Sequence, residues 1–268
     1  MLIENILIAI TFHYSKERLE YLRDACLQIP FFGFQYKVLI ITNTQDDEEV
    51  WQIKNQVQFL SNCDVISMRP VGHPYFLPWG HFPLFKKYYL SNTNISHFMY
   101  LEDDIKITPQ NIVYWLRGRN ELHRFGCYPS FVRFERNIAD EMLYLTDITK
   151  SLRFQKTPKI KISSDYFYLS SSQPYQGMYL MDREMMGEYL KSPACSPDFG
   201  SWGIREKATQ GLTFVIVPSG YHSRNLIVCN LSNNSIDQDA LIHHLPNNYA
   251  NNVHTEFGKL RTSQLLLL

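Results

Sequence analysis

Three acidic residues in a row, Glu102, Asp103 and Asp104, close an apolar run that begins at His97 (HFMYLEDDI). Adjacent carboxylates repel one another, so the end of an extended segment gains nothing structural from them. A hard divalent cation would relieve that repulsion, and a diphosphate would complete its oxygen ligands. On an extended backbone alternate side chains share a face, which predicts Glu102 and Asp104 pointing one way and Asp103 another. The competing reading is a solvated acidic turn ahead of a helix, with Asp104 as a favourable charge near its N-terminus.

Other segments carry groups of the same kind. DFGSWGIREKATQGL holds Asp198 and Glu206, and Glu206 could equally pair with Arg205 or Lys207 on an exposed helix. HHLPNNYANN offers His243 and His244, and SGYHSRN offers His222. Neutral imidazole suits Mn²⁺ as well as Zn²⁺, although a single His is more often a core or surface residue. In TFHYSKER, Tyr14 can stack on a base, His13 can hydrogen-bond to it, and Arg18 can approach a phosphate. Helix-start packing of Tyr14 and Arg18 is the alternative. Trp79, His81, Lys86 and Lys87 precede the acidic run, where a cation could neutralise a leaving diphosphate. Solvated lysines are the commoner case. PYQGMYLMDRE, with Asp182, reads as a core strand before it reads as a sugar or acceptor lining.

These groups need elements to hold them. NILIAITF (5–12) is a continuous apolar run of the kind buried on both faces of a parallel sheet. The segment that follows, SKERLEYLRDACLQI, carries Leu19, Leu22, Ala25, Cys26 and Ile29 at helical spacing, with Ser15 as N-cap and Pro30 as stop. KVLIITN (37–43) completes a βαβ unit with its right-handed crossover. A helix over 46–60, a strand DVISMRP, a loop and helix over 72–90, the acidic strand 97–105 and a helix Pro109–Leu122 continue the alternation. Thr11 to Arg18 and Asn43 then lie at strand tips, where open α/β sheets bind ligands. In the second half, PSFVRFER, GMYLMD and GLTFVIVPS (211–219) read as strands, REMMGEYLKS as a helix, and 144–173 as loops or a hairpin. The tail from about 230 is Asn-rich and irregular. One domain is expected, with a nucleotide-binding half at 1–125 and an acceptor-binding half with the tail at 126–268.

Composition removes several classes. Lys and Arg number 26 and so do Asp and Glu, which leaves no basic excess for a nucleic-acid partner. Any anionic ligand must be met locally. The five Cys are odd in number and never paired as CxxC, which suits neither a disulfide framework nor a zinc site and points to a reducing compartment. The run Ile6–Phe12 has no basic flank or small-residue cleavage site and is too short to span a bilayer. The expectation is a cytoplasmic chain with no transmembrane segment.

FMYLEDDI after two βαβ-like elements resembles the DxD signature of GT-A fold glycosyltransferases, with Glu102 in place of the first Asp. The resemblance implies an open, mostly parallel mixed sheet flanked by helices, with a Rossmann-like nucleotide-binding half. It implies Mn²⁺ or Mg²⁺ bridging the donor diphosphate, held chiefly by Asp104, with Glu102 toward the metal or the ribose. Thr11, His13, Tyr14, Arg18, Asn43, Glu102 and Asp103 would line the donor. WGIRE is similar to the W-G-x-[E/D] region in which the acid faces the acceptor hydroxyl, so Glu206, with Asp198 second, would be the general base of an inverting enzyme. Such enzymes also supply a late His to the metal, for which His244 is preferred over His243 and His222. The partners implied are a nucleotide-sugar donor, UDP-linked by default, and a glycan, lipid-linked or other hydroxyl acceptor. Two rivals remain. One is a metal-dependent nucleotidyltransferase, against which the Gly-free TFHYSKER loop counts. The other is a carbohydrate- or nucleotide-binding domain without catalysis.

Overall fold

The computed structural model describes residues 3–69 and 72–268. The chain forms β1 (Asn5–Phe12), α1 (Leu19–Cys26), β2 (Gln35–Thr42), α2 (Asp47–Gln56), β3 (Cys63–Ser67), α3 (His81–Ser91), β4 (His97–Glu102) and β5 (Ile105–Lys106). Then come α4 (Pro109–Leu122), β6 (Tyr128–Pro129), β7 (Val132–Arg136), β8 (Leu143–Leu145), β9 (Leu152–Arg153), β10 (Lys159–Lys161) and β11 (Tyr166–Leu169). The last part holds β12 (Met178–Asp182), α5 (Arg183–Tyr189), α6 (Ile204–Ala208), β13 (Asn225–Asn230), β14 (Ser235–Ile236), β15 (Leu241–His244), β16 (Leu260–Arg261) and β17 (Leu266–Leu267). Among the described residues no helix is long and apolar enough to cross a membrane.

Two compact units divide the chain, and the boundary does not fall at residue 125. One unit takes the chain up to Lys106 together with Gly177–Leu212; the other takes Ile107–Gln176 with Thr213–Leu268. The first is an α/β unit with the strand order β12-β4-β1-β2-β3. β1 pairs in parallel with β2 and β4, and β2 in parallel with β3, while β12 is antiparallel at the edge. The continuous apolar run makes β1 central: Ile6 to Phe12 are all buried. α1 buries Leu19, Leu22, Ala25 and Cys26, the stripe read from the spacing. Burying one such Leu from water is worth about 2 kcal/mol.

The expected start of that helix differs. Residues Lys16–Arg18 form a 3-10 turn, and Ser15, although extended, caps nothing. Its hydroxyl donates to the Glu17 carboxylate instead of accepting a backbone N–H.

The second unit contains α4, opened by a capping box between Thr108 and Asn111 with Pro109 in its first turn. Gly118 lets α4 press on the chain: a Cβ there would lie 2.7 Å from Pro129 Cβ. Its strands run β10-β11-β13-β14 in one sheet and β16-β8-β7-β15 in another. The expected strand over 211–219 is absent. Gly211 and Ile216 have φ of +51° and +49°, which breaks any extended run. Leu212 and Val215 are buried all the same, so an apolar run here marks a buried turn. The strand of this region is β13, NLIVCN. The Asn-rich tail is irregular yet tied down. Arg136 N donates to Asn247 Oδ1 and Ile138 N to Asn251 Oδ1, both at 2.8 Å, while Asn137 Nδ2 donates to Ala250 O at 2.7 Å. Side-chain amides there replace a backbone ladder.

Candidate functional site

The order β3-β2-β1-β4 reverses direction at β1, so the crevice between the C-terminal ends of β1 and β4 is the topological switch point of the sheet. The loop after β1 and the acidic triplet after β4 both open onto it. Glu102 makes the last ladder contact, its N–H donating to Gly177 O at 3.2 Å. The chain then turns, so the strict alternation expected for Glu102 and Asp104 against Asp103 stops at Glu102. Asp103 and Asp104 are both buried and both turned on one partner, while Glu102 is half-buried.

That partner is Arg18. Its Nε donates to Asp103 Oδ2 at 2.9 Å and its Nη2 to Asp103 Oδ1 at 2.8 Å and Asp104 Oδ2 at 2.9 Å. The guanidinium carbon lies 5.9 Å from the Tyr21 ring centroid. One guanidinium bridges two buried carboxylates. Burial, then the Asp104 carboxylate, pushes Asp103 up to about 7 against the pull of Arg18. The two carboxylates in turn raise Arg18 further above its ordinary value, against the opposing effect of burial.

This donor set does not fit a divalent cation as it is arranged. Both Asp103 oxygens and Asp104 Oδ2 already accept N–H groups of Arg18, so a cation taking those three oxygens would have to displace the guanidinium. Among the described residues no three His, Cys, Asp or Glu side chains gather as a metal group. The late histidines have other partners within their own unit. His244 is buried, with Nδ1 2.5 Å from Glu135 Oε1 and its ring stacked on Tyr249. His243 stacks on Phe134 at 4.9 Å and its Nε2 contacts Asn247 Oδ1 at 2.9 Å. His222 is exposed.

Glu206 sits in α6, in the same unit as the triplet. Trp79 Nε1 donates to Ile204 O at 2.9 Å and ties α6 to the 3-10 turn Pro74–Gly80. That turn packs on the sheet: a Cβ on Gly80 would lie 2.8 Å from Met68 Sδ and 3.0 Å from Ile41 Cγ2, beside the tips of β2 and β3. Trp79 is therefore a structural tie. Glu206 folds back over the residue before its helix, so that a Cβ on Gly203 would meet Glu206 Oε2 at 2.1 Å. Arg205 Nη2 is 3.5 Å from its other oxygen, a loose and partly exposed pair. Asp198 lies exposed in a turn, its backbone N–H donating to Ser196 Oγ at 3.3 Å.

The donor-side residues assemble around the tips of β1 and β2. Thr11 Oγ1 and Tyr100 OH are 2.6 Å apart in the interior. The Tyr14 N–H donates to Asn43 Oδ1 at 2.8 Å, linking the two tips, and the Tyr14 hydroxyl donates to Gln52 Oε1 at 2.7 Å. His13 is exposed beside them. The side chains farther on do not join this edge as charges. Lys86 and Lys87 are exposed on α3. His81 is fully buried, its Nδ1 2.5 Å from Pro78 O, and burial holds it down to about 4. Asp182 caps α5 by accepting from Met185 N at 2.8 Å. Sequence reasoning does not single out Tyr21, Gly203 or Glu135. Only Gly203 leaves a trace, as the glycine of the Trp-Gly pair.

No family model matches the chain, and no curated protein matches it. Among solved structures it is similar to the 4-diphosphocytidyl-2C-methyl-D-erythritol synthase of Anaerococcus prevotii, at 11% identity and a TM-score of 0.38 over 76% of this chain and 81% of that one. A likeness that slight carries no functional weight.

Proposed function

We propose that the protein is a glycosyltransferase that moves a sugar from a nucleoside-diphosphate sugar, UDP-linked by default, to a hydroxyl of a glycan, lipid-linked or other acceptor. One observation carries this reading: the triplet at the tip of β4 faces the loop after β1 across the switch point, and Glu206 belongs to the same unit. Tyr14, Asn43 and His13 line the nucleoside side of that edge, with Glu102 toward the ribose, while Thr11 supports it from the interior through Tyr100.

In the proposed reaction the acceptor oxygen gives a lone pair to the anomeric carbon, and its proton passes to the Glu206 carboxylate. The bond from that carbon to the diphosphate breaks, and its electron pair leaves on the phosphate oxygen. Attack opposite the leaving group inverts the centre. Glu206 suits the base role because its carboxylate is partly exposed and only loosely paired. Asp198 is the second candidate. The Mn²⁺ or Mg²⁺ that the resemblance implies at Asp104, Glu102 and His244 enters no step here, because Arg18 holds Asp104 and Glu135 holds His244. The five free thiols suit a cytoplasmic setting.

A second reading has one observation in its favour. Arg18 pairs with both acids internally, as expected of a nucleotide- or carbohydrate-binding domain without turnover. Release of free nucleoside diphosphate from a panel of UDP-, GDP- and CDP-sugars, with simple glycoside acceptors, separates the two. Turnover that falls at least 100-fold in Glu206→Gln supports transfer. Nucleotide binding without turnover in the wild type would establish the second reading instead.

A further inference from the structure

We propose that Arg18 supplies the positive charge for the nucleoside diphosphate at this crevice, with Asp103 and Asp104 as the residues that position it, so that donor binding requires no divalent metal. This rests on the nucleotide-sugar reading and names the group that meets the pyrophosphate.

The geometry of the guanidinium makes the case. Nε and Nη2 make all three hydrogen bonds to the carboxylates, at 2.8–2.9 Å, which fixes the plane and orientation of the fork. Among the described residues Nη1 makes no hydrogen bond, so two N–H donors remain. The side chain is 35% exposed while its two partners are buried, so the fork is anchored from inside and reachable from outside. An arginine stays charged at every physiological pH and matches phosphate oxygens with paired N–H groups. The residue comes from the loop after β1, the place in a doubly wound sheet where a ligand's phosphates lie. A divalent ion would have to break three charge-assisted hydrogen bonds to take the same oxygens. A phosphate needs only to approach the edge that those bonds leave open.

The acidic pair then has a reason to exist that differs from the one its sequence suggests. Without it a lone arginine on an eight-residue helix start would sample many rotamers, and each phosphate contact would carry that entropy. Two buried carboxylates hold it in one.

Calorimetric titration of the full chain with UDP, GDP, CDP and ADP, first in EDTA and then with Mn²⁺, tests this. The expected result is that one nucleotide binds in EDTA and that Mn²⁺ changes its Kd less than threefold. Arg18→Gln should weaken that binding at least tenfold, and Arg18→Lys, which keeps the charge but loses the fork, by several-fold. Asp103→Asn should weaken it only while Arg18 is present and change nothing in the Arg18→Gln background, a coupling that a merely structural carboxylate would not give. Binding that appears only with Mn²⁺, or that persists undiminished in Arg18→Gln, overturns the proposal and leaves glycosyl transfer standing. Failure of every nucleotide to bind in both conditions sinks the two together.

Discussion

Two buried acidic groups in this chain look alike on paper and differ in kind. Glu135 is 0% exposed, with Oε1 2.5 Å from His244 Nδ1 and Oε2 accepting from Ala250 N at 2.6 Å. His244 and Ala250 are buried as well, so the group is closed on itself. Asp103 and Asp104 are nearly as buried, but the group they hold reaches solvent with donors to spare. The difference is one of access. A carboxylate whose oxygens end on buried partners is a device of the fold; one that grips a half-exposed cation presents that cation to a ligand.

Removing Glu135 should therefore have the largest effect on stability. Glu135→Ala removes the partner of His244 Nδ1 and the acceptor of the Ala250 N–H in the interior, and each buried polar group that loses its bond costs about 1–3 kcal/mol. Urea unfolding should show that loss as a lower midpoint with the slope unchanged. A cost below about 1 kcal/mol would mean that the closed group is less closed than its distances indicate, and the contrast with the open one would fail.

Gly203→Ala probes the open edge and should rank next. The atom in the way is the end of the Glu206 side chain, so the new methyl displaces a flexible carboxylate and leaves the backbone where it is. The expected outcome is a loss of kcat of about tenfold or more, equivalent to about 1.4 kcal/mol of barrier. Thermal stability should stay within about 1 kcal/mol of wild type. Unchanged turnover would show that the Glu206 position over Gly203 is irrelevant to chemistry and that the base lies elsewhere.

Asp103→Asn should give a smaller and pH-dependent effect. In the native state Asp103 is pushed up to about 7, whereas the unfolded chain releases that proton near 4. Between those values the native state holds more protons than the unfolded one. Stability from this group is thus fully present below about 4 and is lost as pH rises through about 7, by at most about 1.4 kcal/mol per pH unit. Urea midpoints of variant and wild type should lie close together at about pH 4.5 and separate towards about pH 7.5, the wild type falling below the variant. Parallel curves would mean that Asp103 holds its proton no more tightly in the folded state than in the unfolded one, and the burial of its carboxylate would carry no cost.

The sequence makes the first unit legible and the second one poorly so, for a physical reason. β1, β2, β4 and α1 announce themselves because a strand buried on both faces must be apolar throughout and a covering helix apolar on one stripe. The triplet is visible because charges have no business at the end of such a strand. Its partner is harder to see. Arg18 stands 85 residues before Asp103, and nothing in local spacing says that a guanidinium will settle where a metal is expected. The second unit is built from strands of two to six residues joined by side-chain amides, and so short a ladder leaves almost no periodic trace. GLTFVIVPS misleads for the same reason: buried coil and buried strand are equally apolar, and only φ at Gly211 and Ile216 tells them apart.

The smallest expected effect belongs to the lysines of α3. Lys86 and Lys87 precede the acidic strand in sequence, and proximity along the chain makes them plausible cations for a leaving diphosphate. The fold exposes both on α3, where a lysine keeps its hydration and shares no buried partner. Lys86→Ala and Lys87→Ala should each change stability by less than about 0.5 kcal/mol and leave nucleotide affinity within about twofold, under 0.5 kcal/mol. The measurement is the same calorimetric titration used for Arg18, which makes the two kinds of cation directly comparable. A tenfold loss of affinity in either lysine variant would move the phosphate-binding charge from the anchored arginine to the solvated helix. It would also remove the reason for regarding the Asp103–Asp104 pair as different in kind from Glu135.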